Sequence, residues 1–300
     1  MAILVDKKTV VLVQGITGKE GARATKEMIE YGTKVVAGVT PGKGGTVTED
    51  GVPVFNSVKE ATNKFPEINA SLIVVPAPFV YSATSEAIES NIPLVNILTE
   101  HVPVFDVARL IALAKRKNIT IIGPSSVGII SPNKGKIGSI GSSGSANKIF
   151  TQGSVGLISK SGGMTAEISR ILSEKGLGQS AVVGIGGDLL IGATFVDIAL
   201  LFEVDRQTEA LVVFGEIGGT YEEALAEAMR AGRVTKPVVA LIVGHFSEKL
   251  PQGTVLGHAG AIVNQGRGSY SSKINALKEA GAHIVETPEE IPIILKKLLQ

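Results

Sequence analysis

The hydrophobic positions of the chain fall into short β-branched runs that alternate with amphipathic segments. The runs predict β-strands at residues 9–14, 34–38, 71–75, 94–98, 119–122, 154–159, 180–185, 210–214, 237–243 and 282–285. Apolar residues spaced three and four apart predict helices between them, in segments such as residues 19–31, 103–117, 164–175, 220–231 and 287–299. This alternation is typical of parallel βαβ units, which right-handed crossovers join into doubly wound sheets. The sequence therefore predicts an α/β protein with parallel sheets.

One stretch, residues 131–153, interrupts this alternation and is rich in Gly, Ser, Asn and Lys. We interpret it as a linker between an N-terminal domain at residues 1–130 and a C-terminal domain at residues 154–300. The 300 residues are enough for two domains, each with its own hydrophobic core.

Composition narrows the class of protein. Although 44% of the residues are hydrophobic, no apolar run approaches the roughly 18 residues that span a bilayer. The segment from Met1 to Lys8 lacks the pattern of a signal peptide, so we expect a cytoplasmic protein without a membrane segment. The chain has no cysteine, which excludes disulfides and cysteine-ligated metal, and no metal site is expected. A net charge of +1 without a basic block gives no indication of nucleic-acid binding.

The first predicted strand runs directly into Gly15-Ile16-Thr17-Gly18-Lys19-Glu20-Gly21, and a predicted helix follows. Such a turn favours phosphate binding, because glycines let the backbone approach an anion and the helix start offers free N–H groups. The glycine spacing differs from the Gly-x-Gly-x-x-Gly of nicotinamide sites, which disfavours that cofactor. A tight turn without a ligand is the alternative.

Three further glycine-rich turns follow predicted strands. Thr40-Pro41-Gly42-Lys43-Gly44-Gly45 places a cation where an adenosine phosphate would lie, although Lys43 could simply be solvated. Ser159-Lys160-Ser161-Gly162-Gly163-Met164 gathers hydroxyls and N–H groups at a helix start, which indicates an anion site or only a helix cap. Gly184-Ile185-Gly186-Gly187-Asp188 lies at the end of the next strand, where open α/β sheets bind ligands, or is a packing turn.

The remaining motifs carry a histidine and a carboxylate. His258 lies within Gly257-His258-Ala259-Gly260-Ala261, where flanking glycines allow a loop to carry the imidazole into a site. Imidazole can act as a nucleophile and form a covalent intermediate. Glu216, in Gly215-Glu216-Ile217-Gly218-Gly219, could hydrogen-bond one ring nitrogen and leave the other to attack. The alternative is a surface loop whose histidine caps a helix.

In this order, the Gly15, Thr40, Gly184, Gly215 and Gly257 motifs resemble the α subunit of succinyl-CoA synthetase and the equivalent part of ATP-citrate lyase. The resemblance implies an N-terminal Rossmann-type CoA-binding domain and a C-terminal flavodoxin-like ligase domain. It implies that His258 is phosphorylated from ATP or GTP, bound with Mg on a separate ATP-grasp β subunit in an αβ or α2β2 assembly. The phosphoryl group would pass to a small carboxylic acid, and CoA would then displace phosphate from the acyl phosphate.

The resemblance also implies roles for individual residues. His258 and Glu216 would be catalytic, with Glu216 orienting the imidazole. The phosphohistidine would be held by Ser159, Ser161, Gly162 and Gly163. CoA would be contacted by Gly15, Thr17, Gly18, Lys19, Lys43, Val75, Pro76, Thr99 and Glu100.

The identity of the acid depends on departures from the succinyl-CoA synthetase pattern. That family usually has Gly-Pro-Asn-Cys-Pro-Gly where this chain has Gly123-Pro124-Ser125-Ser126-Val127-Gly128. The Asn-Cys pair, which is the usual acyl or thiol contact, is thus replaced by Ser125-Ser126. Four segments are more similar to ATP-citrate lyase: Ser161 to Met164, Gly232 to Pro237, Asn264-Gln265 and Asn275 to Gly281. The leading expectation is therefore a citryl-CoA synthetase-like subunit, and the alternative is a succinyl-CoA synthetase α subunit.

Two other classes of protein fit these motifs less well. A stand-alone CoA-binding regulatory protein would need neither His258, Glu216 nor the Ser161 turn. A nicotinamide oxidoreductase comes third, because neither the dinucleotide motif nor an acidic ribose partner is evident.

Overall fold

The computed structural model describes residues 3–141, 144, 146–246 and 268–300. It contains a six-stranded sheet followed along the chain by a seven-stranded sheet. Both are built mainly from parallel strands connected through helices, which confirms the predicted α/β class. Within the described residues, no helix combines the length and apolarity needed to span a membrane.

The first sheet has the order β3-β2-β1-β4-β5-β6, and its neighbouring strands are parallel. Its strands are β1 Val10–Gln14, β2 Lys34–Val39, β3 Val54–Phe55, β4 Ala70–Ile73, β5 Leu94–Ile97 and β6 Thr120–Ile122. Its helices are α1 Lys19–Glu30, α2 Val58–Lys64, α3 Val80–Glu89 and α4 Val104–Arg116, with a 3₁₀ turn at Ala77–Phe79.

The second sheet has the order β13-β12-β11-β9-β10-β7-β8. Its strands are β7 Gly128–Ser131, β8 Gly135–Gly138, β9 Gln152–Ser159, β10 Gln179–Gly184, β11 Ala210–Glu216, β12 Val238–Val243 and β13 His283–Val285. The helices are α5 Ala146–Ile149, α6 Gly162–Glu174, α7 Phe195–Val204, α8 Tyr221–Arg230, α9 Tyr270–Glu279 and α10 Ile291–Leu298, with a 3₁₀ turn at Pro288–Glu290.

Residues 131–153, which the sequence predicts to be a linker, contribute to the second sheet instead. They contain β8, which forms an antiparallel hairpin with β7, and β7 pairs antiparallel with β10. A glycine of this stretch serves close packing: a Cβ on Gly138 would lie 2.6 Å from the Val127 carbonyl oxygen. The hairpin, residues 128–138, thus extends the second sheet across the predicted domain boundary.

The chain order of the strands creates one crevice in each sheet. In the first sheet the direction of travel reverses between β1 and β4, and in the second between β9 and β11. Helices connected to strands on either side of such a point diverge, so the carboxyl ends of the two strands border a ligand-sized crevice. The strands themselves are buried, as parallel strands covered on both faces must be.

Candidate functional site

A cleft of about 600 Å³ lies at the carboxyl ends of β1 and β4. Apolar side chains dominate one side of it, including Val74, Val75, Pro76 and Phe79, and the Phe79 ring is exposed. The cleft is lined by Gln14, Gly15, Thr17, Gly18, Val39, Thr40, Pro41, Val74, Val75, Pro76, Phe79, Ser82, Ala83 and Glu86. An apolar cleft with a few polar groups suits a flat base with a polar attachment.

One edge of this cleft is the N-terminus of α1. Gly18 is the N-cap residue, so α1 has no side-chain cap for its first N–H groups. Gly15 adopts φ +87°, in the left-handed region that favours glycine. Beside this turn, Thr17 Oγ1 and Thr40 Oγ1 lie 3.1 Å apart. Uncapped N–H groups next to hydroxyls form a site for an anion such as phosphate.

Five predicted CoA contacts line this cleft, and four lie outside its lining. Gly15, Thr17, Gly18, Val75 and Pro76 belong to the first group. The second group is Lys19, Lys43, Thr99 and Glu100.

The four residues outside the lining are connected to it by hydrogen bonds or through their neighbours in sequence. Thr99 Oγ1 donates to the Val75 carbonyl oxygen over 2.7 Å. Lys43 is exposed, and its N–H donates to the Thr40 carbonyl oxygen over 3.0 Å. Lys19 opens α1 with an exposed side chain, and Glu100 follows Thr99 as an exposed residue. Their contact with CoA stays a prediction.

The second crevice begins with Ser159, the last residue of β9. The Ser159 hydroxyl donates to the Ser161 carbonyl oxygen over 2.9 Å and accepts from the Ser161 N–H over 3.1 Å, which fixes the tight turn. Ser161 is the N-cap of α6 and accepts from the Met164 N–H over 3.4 Å. Gly162 and Gly163 form the first turn of α6. The interpretation of Ser161 as a helix cap is therefore correct. The start of α6 still presents N–H groups to the crevice.

Glu216 ends β11, the strand beside β9. Phe214 pairs in register with Ser159, and the Lys160 N–H donates to the Phe214 carbonyl oxygen over 3.2 Å. Glu216 is therefore one strand away from the α6 turn at the same sheet edge. Gly218 and Gly219 follow with φ +87° and +61°, so the chain turns back directly after the carboxylate.

His258 lies outside the described residues, and its role stays a prediction. The residues on either side are described. Val243 ends β12, which pairs with β11 along its length. At the other side, the Gly268 carbonyl oxygen accepts from the Gly218 N–H over 2.8 Å. Gly268, the first described residue after the gap, is thus hydrogen-bonded to the turn that follows Glu216.

The loop after β6 contacts the carboxyl end of β10 in the second sheet. Ser126 Oγ donates to the Gly184 carbonyl oxygen over 2.5 Å, and Ser125 adopts φ +58°. Next to it, burial raises the pKa of Asp188, while hydrogen bonds from the Val102 and His101 N–H groups act in the opposite direction. The Gly184 to Asp188 turn therefore contacts the first domain and is not only a feature of the second sheet.

Sequence patterns missed Lys160, Glu222 and Lys273 as candidate site residues. Glu222 accepts from the Glu216 N–H and pairs with both lysines, and all three side chains are almost fully buried. The signal available in the sequence was weak: Lys273 occupies the buried face of α9, where the helical period calls for an apolar residue.

Two family models give the class of protein, and the geometry is consistent with them. The first domain contains an apolar cleft beside the uncapped start of α1, and in the second domain the start of α6 lies one strand away from Glu216. A CoA binding domain model matches residues 6–101, and a CoA-ligase model matches residues 158–283. The chain is thus an acid–CoA ligase polypeptide with a CoA-binding first domain.

Known relatives then give the family. "Succinate–CoA ligase [ADP-forming] subunit alpha 2" of Archaeoglobus fulgidus is 47% identical over 299 residues, which cover 100% of both chains. The corresponding "subunit alpha" of Methanothermobacter thermautotrophicus is 48% identical over 96% of this chain and 94% of its own. This chain belongs to the family of succinate–CoA ligase alpha subunits.

A solved structure is similar over nearly the whole chain. ATP citrate lyase of Methanosaeta concilii, determined with (3S)-citryl-CoA, superposes with a TM-score of 0.90 at 26% identity. The match covers 99% of this chain but 50% of the lyase chain, so this chain spans half of that protein. The leading expectation of a citryl-CoA synthetase therefore has only this more distant support, and the full-length relatives favour the succinate alternative.

Proposed function

We propose that this chain is the CoA-binding and phosphohistidine-bearing subunit of an ADP-forming succinate–CoA ligase. One observation carries the proposal: the carboxyl ends of β9 and β11 bring the α6 N-terminus and Glu216 to one crevice, in a chain 47% identical over its full length to a subunit of that name. An anion site next to a carboxylate suits a histidine that is phosphorylated and must be oriented.

In the proposed reaction, the phosphoryl group moves twice. The bond between the γ-phosphorus and its bridging oxygen breaks as a His258 nitrogen bonds to phosphorus, and ADP leaves. A succinate carboxylate oxygen then attacks that phosphorus and releases the imidazole. The CoA thiolate finally attacks the acyl carbon, which forms the thioester and releases phosphate. A covalent intermediate of this kind divides one difficult transfer into easier steps.

The protein residues would bind and orient the reacting groups. The Glu216 carboxylate would accept from one imidazole N–H and leave the other nitrogen free to attack. The N-terminus of α6, with Ser159 and Ser161, would stabilise the negative phosphoryl group through N–H groups and the helix dipole.

The first domain fits CoA by the chemistry of its cleft. The apolar wall of Val74, Val75 and Phe79 suits the adenine, and the uncapped start of α1 suits a phosphate. Lys43 would pair with the phosphates from the neighbouring turn.

We further propose that an ATP-grasp β subunit supplies the nucleotide site. The chain has no Gly-x-x-x-x-Gly-Lys-Ser/Thr loop for binding ATP. We therefore expect this chain alone to be inactive and an αβ or α2β2 complex to bind Mg with ATP.

Phosphorylation of His258 is the first test. The co-purified αβ complex should take up label from γ-labelled ATP in an acid-labile, base-stable form, and His258→Asn should abolish the labelling. Glu216→Gln should keep the fold and slow the labelling. Full labelling of His258→Asn would contradict the phosphohistidine assignment.

The acid is tested separately. The complex should form an acyl-CoA with succinate in preference to citrate and malate, measured as thioester formation at equal concentrations. Turnover of citrate alone would restore the citryl-CoA synthetase alternative. Activity of the purified chain without any β subunit, as checked by mass spectrometry, would refute the two-subunit proposal.

A further inference from the structure

Four charged side chains form a cluster beneath the Glu216 turn. The cluster consists of Lys160, Glu222, Glu223 and Lys273, whose side chains are 5%, 0%, 17% and 0% exposed. Removing charges from water is costly unless each finds close partners, and truncating one partner leaves the other uncompensated. The cluster contains two cations and two anions, so its charges balance.

Glu222 is the centre of this cluster. Its Oε1 accepts from the Glu216 N–H over 3.2 Å and lies 3.2 Å from Lys160 Nζ. Its Oε2 pairs with Lys273 Nζ. The carboxylate also lies against the backbone before Glu216, because a Cβ on Gly215 would be 2.6 Å from Oε1. One carboxylate thus contacts the backbone of the proposed orienting residue and a side chain of the anion-site turn.

Lys273 extends the cluster to α9. Its Nζ donates to the Gly218 carbonyl oxygen over 2.9 Å, two residues after Glu216, and lies 3.6 Å from Glu223 Oε2. Glu223 Oε1 in turn accepts from the Gly268 N–H over 3.2 Å. Burial lowers the pKa of Lys273, and the nearby Glu222 opposes this effect. The cluster therefore hydrogen-bonds two backbone groups of this turn, the Glu216 N–H and the Gly218 carbonyl oxygen.

We infer that Glu222 is a positioning residue for phosphoryl transfer, acting through Glu216. The inference rests on the proposed function, in which the Glu216 carboxylate orients His258. Because Glu222 fixes the Glu216 backbone and Lys160 together, it sets the distance between the orienting carboxylate and the α6 anion site. Small displacements of such groups lower rates strongly, by up to roughly a hundredfold for an ångström.

A double-mutant cycle tests whether Glu222 acts through Glu216. Single-turnover phosphorylation of His258 by labelled ATP is measured in the αβ complex for wild type, Glu222→Gln, Glu216→Gln and the double variant. Glu222→Gln should slow labelling by roughly tenfold to a hundredfold. In the Glu216→Gln background it should add little, because the residue it positions is already altered. Losses that multiply would overturn the inference.

Glu27→Gln is the matched control. Glu27, in α1 of the first domain, is also a buried glutamate and is 4% exposed. Its Oε2 lies 3.8 Å from Nζ of a buried lysine, Lys136. Both variants should lower the thermal midpoint, whereas only Glu222→Gln should slow labelling per folded molecule. CoA affinity should stay unchanged in Glu222→Gln. Equal labelling rates in the two variants would make Glu222 purely structural.

A second variant covers the case in which Glu222→Gln does not fold. Glu222→Leu with Lys273→Met removes the buried pair together, a replacement that stability often tolerates. It removes the acceptor of the Glu216 N–H, so labelling should again be slow, and normal labelling would overturn the inference. Absence of labelling in wild type, or no effect of Glu216→Gln, would instead refute the proposed function.

Discussion

Thr33 and Lys136 exchange two hydrogen bonds where the two sheets meet. Thr33 Oγ1 donates to the Lys136 carbonyl oxygen over 2.8 Å and accepts from the Lys136 N–H over 3.0 Å. Thr33 directly precedes β2, and Lys136 lies in β8. Beside them, the Asn133 N–H donates to Tyr31 Oη over 3.1 Å. The β7–β8 hairpin is thus fastened to the first domain as well as to the second sheet.

Thr33→Val should destabilise the protein by about 1–3 kcal/mol, because it leaves a buried N–H and a buried carbonyl of Lys136 unpaired. Urea unfolding measures the change in free energy. The matched control is Thr46→Val, where the lost hydroxyl donates to the Lys43 carbonyl oxygen in an exposed turn. Equal effects of the two substitutions would contradict the role of the Thr33 pair.

Lys136→Met should change how stability depends on pH. Burial lowers the pKa of Lys136 from 10.5 to about 8. Between these values the unfolded chain binds more protons than the folded chain, so this group makes the free energy of unfolding rise with pH. Below about pH 8 the full penalty applies.

Removing the lysine should remove that rise. Urea unfolding of wild type and Lys136→Met at pH 7 to 10 should therefore give a difference that grows in favour of wild type above pH 8. Lys59→Met, at an exposed position of α2, is the control substitution and is measured over the same pH range. A constant difference for Lys136→Met would show that burial does not perturb the group.

Gly162→Ala and Gly163→Ala should have opposite effects on stability. A Cβ on Gly162 would lie 2.3 Å from Val127 Cγ1, so Val127 must move, whereas a Cβ on Gly163 meets nothing within 4 Å. Gly163→Ala should stabilise by up to about 1 kcal/mol, because alanine favours the helix and restricts the unfolded chain. Thermal unfolding compares the two directly, and a lower midpoint for Gly163→Ala would contradict the open space at that residue.

Lys43→Ala should weaken CoA binding by roughly tenfold to a hundredfold, since a charge-assisted hydrogen bond contributes about 1.5–3 kcal/mol. Titration calorimetry on the purified chain gives the dissociation constant. Lys59→Ala removes an exposed lysine of the same domain and should leave affinity unchanged. If Lys43→Ala also bound CoA normally, the phosphates would lie elsewhere.

The sequence predicted the buried parallel strands well, because their β-branched runs carry a strong signal. The strands predicted at 9–14 and 210–214, for example, are observed at Val10–Gln14 and Ala210–Glu216. Helix α7 is apolar around much of its circumference, so its sequence lacks the amphipathic period by which a helix is predicted. The β7–β8 hairpin was missed because its glycines resemble those of a linker.

The candidate site was only partly predictable for a related reason. Glycine turns after strands mark where ligands bind, and they located both crevices. The Glu222–Lys273 pair joins residues 51 positions apart, and neither belongs to a motif. Such a pair becomes visible only when α8 and α9 pack together.

The β7–β8 hairpin between the two sheets affects the distance between the two crevices. Because residues 128–138 pair with β10 and also bond to Thr33 and Tyr31, separating the domains would break polar contacts on both sides. The span from the first crevice to the second is therefore set by the protein. In the proposed function, a thiol substrate held in the first crevice would have to cover that span with its own chain, so the length of its thiol-bearing arm would select which thiols can reach the acyl group.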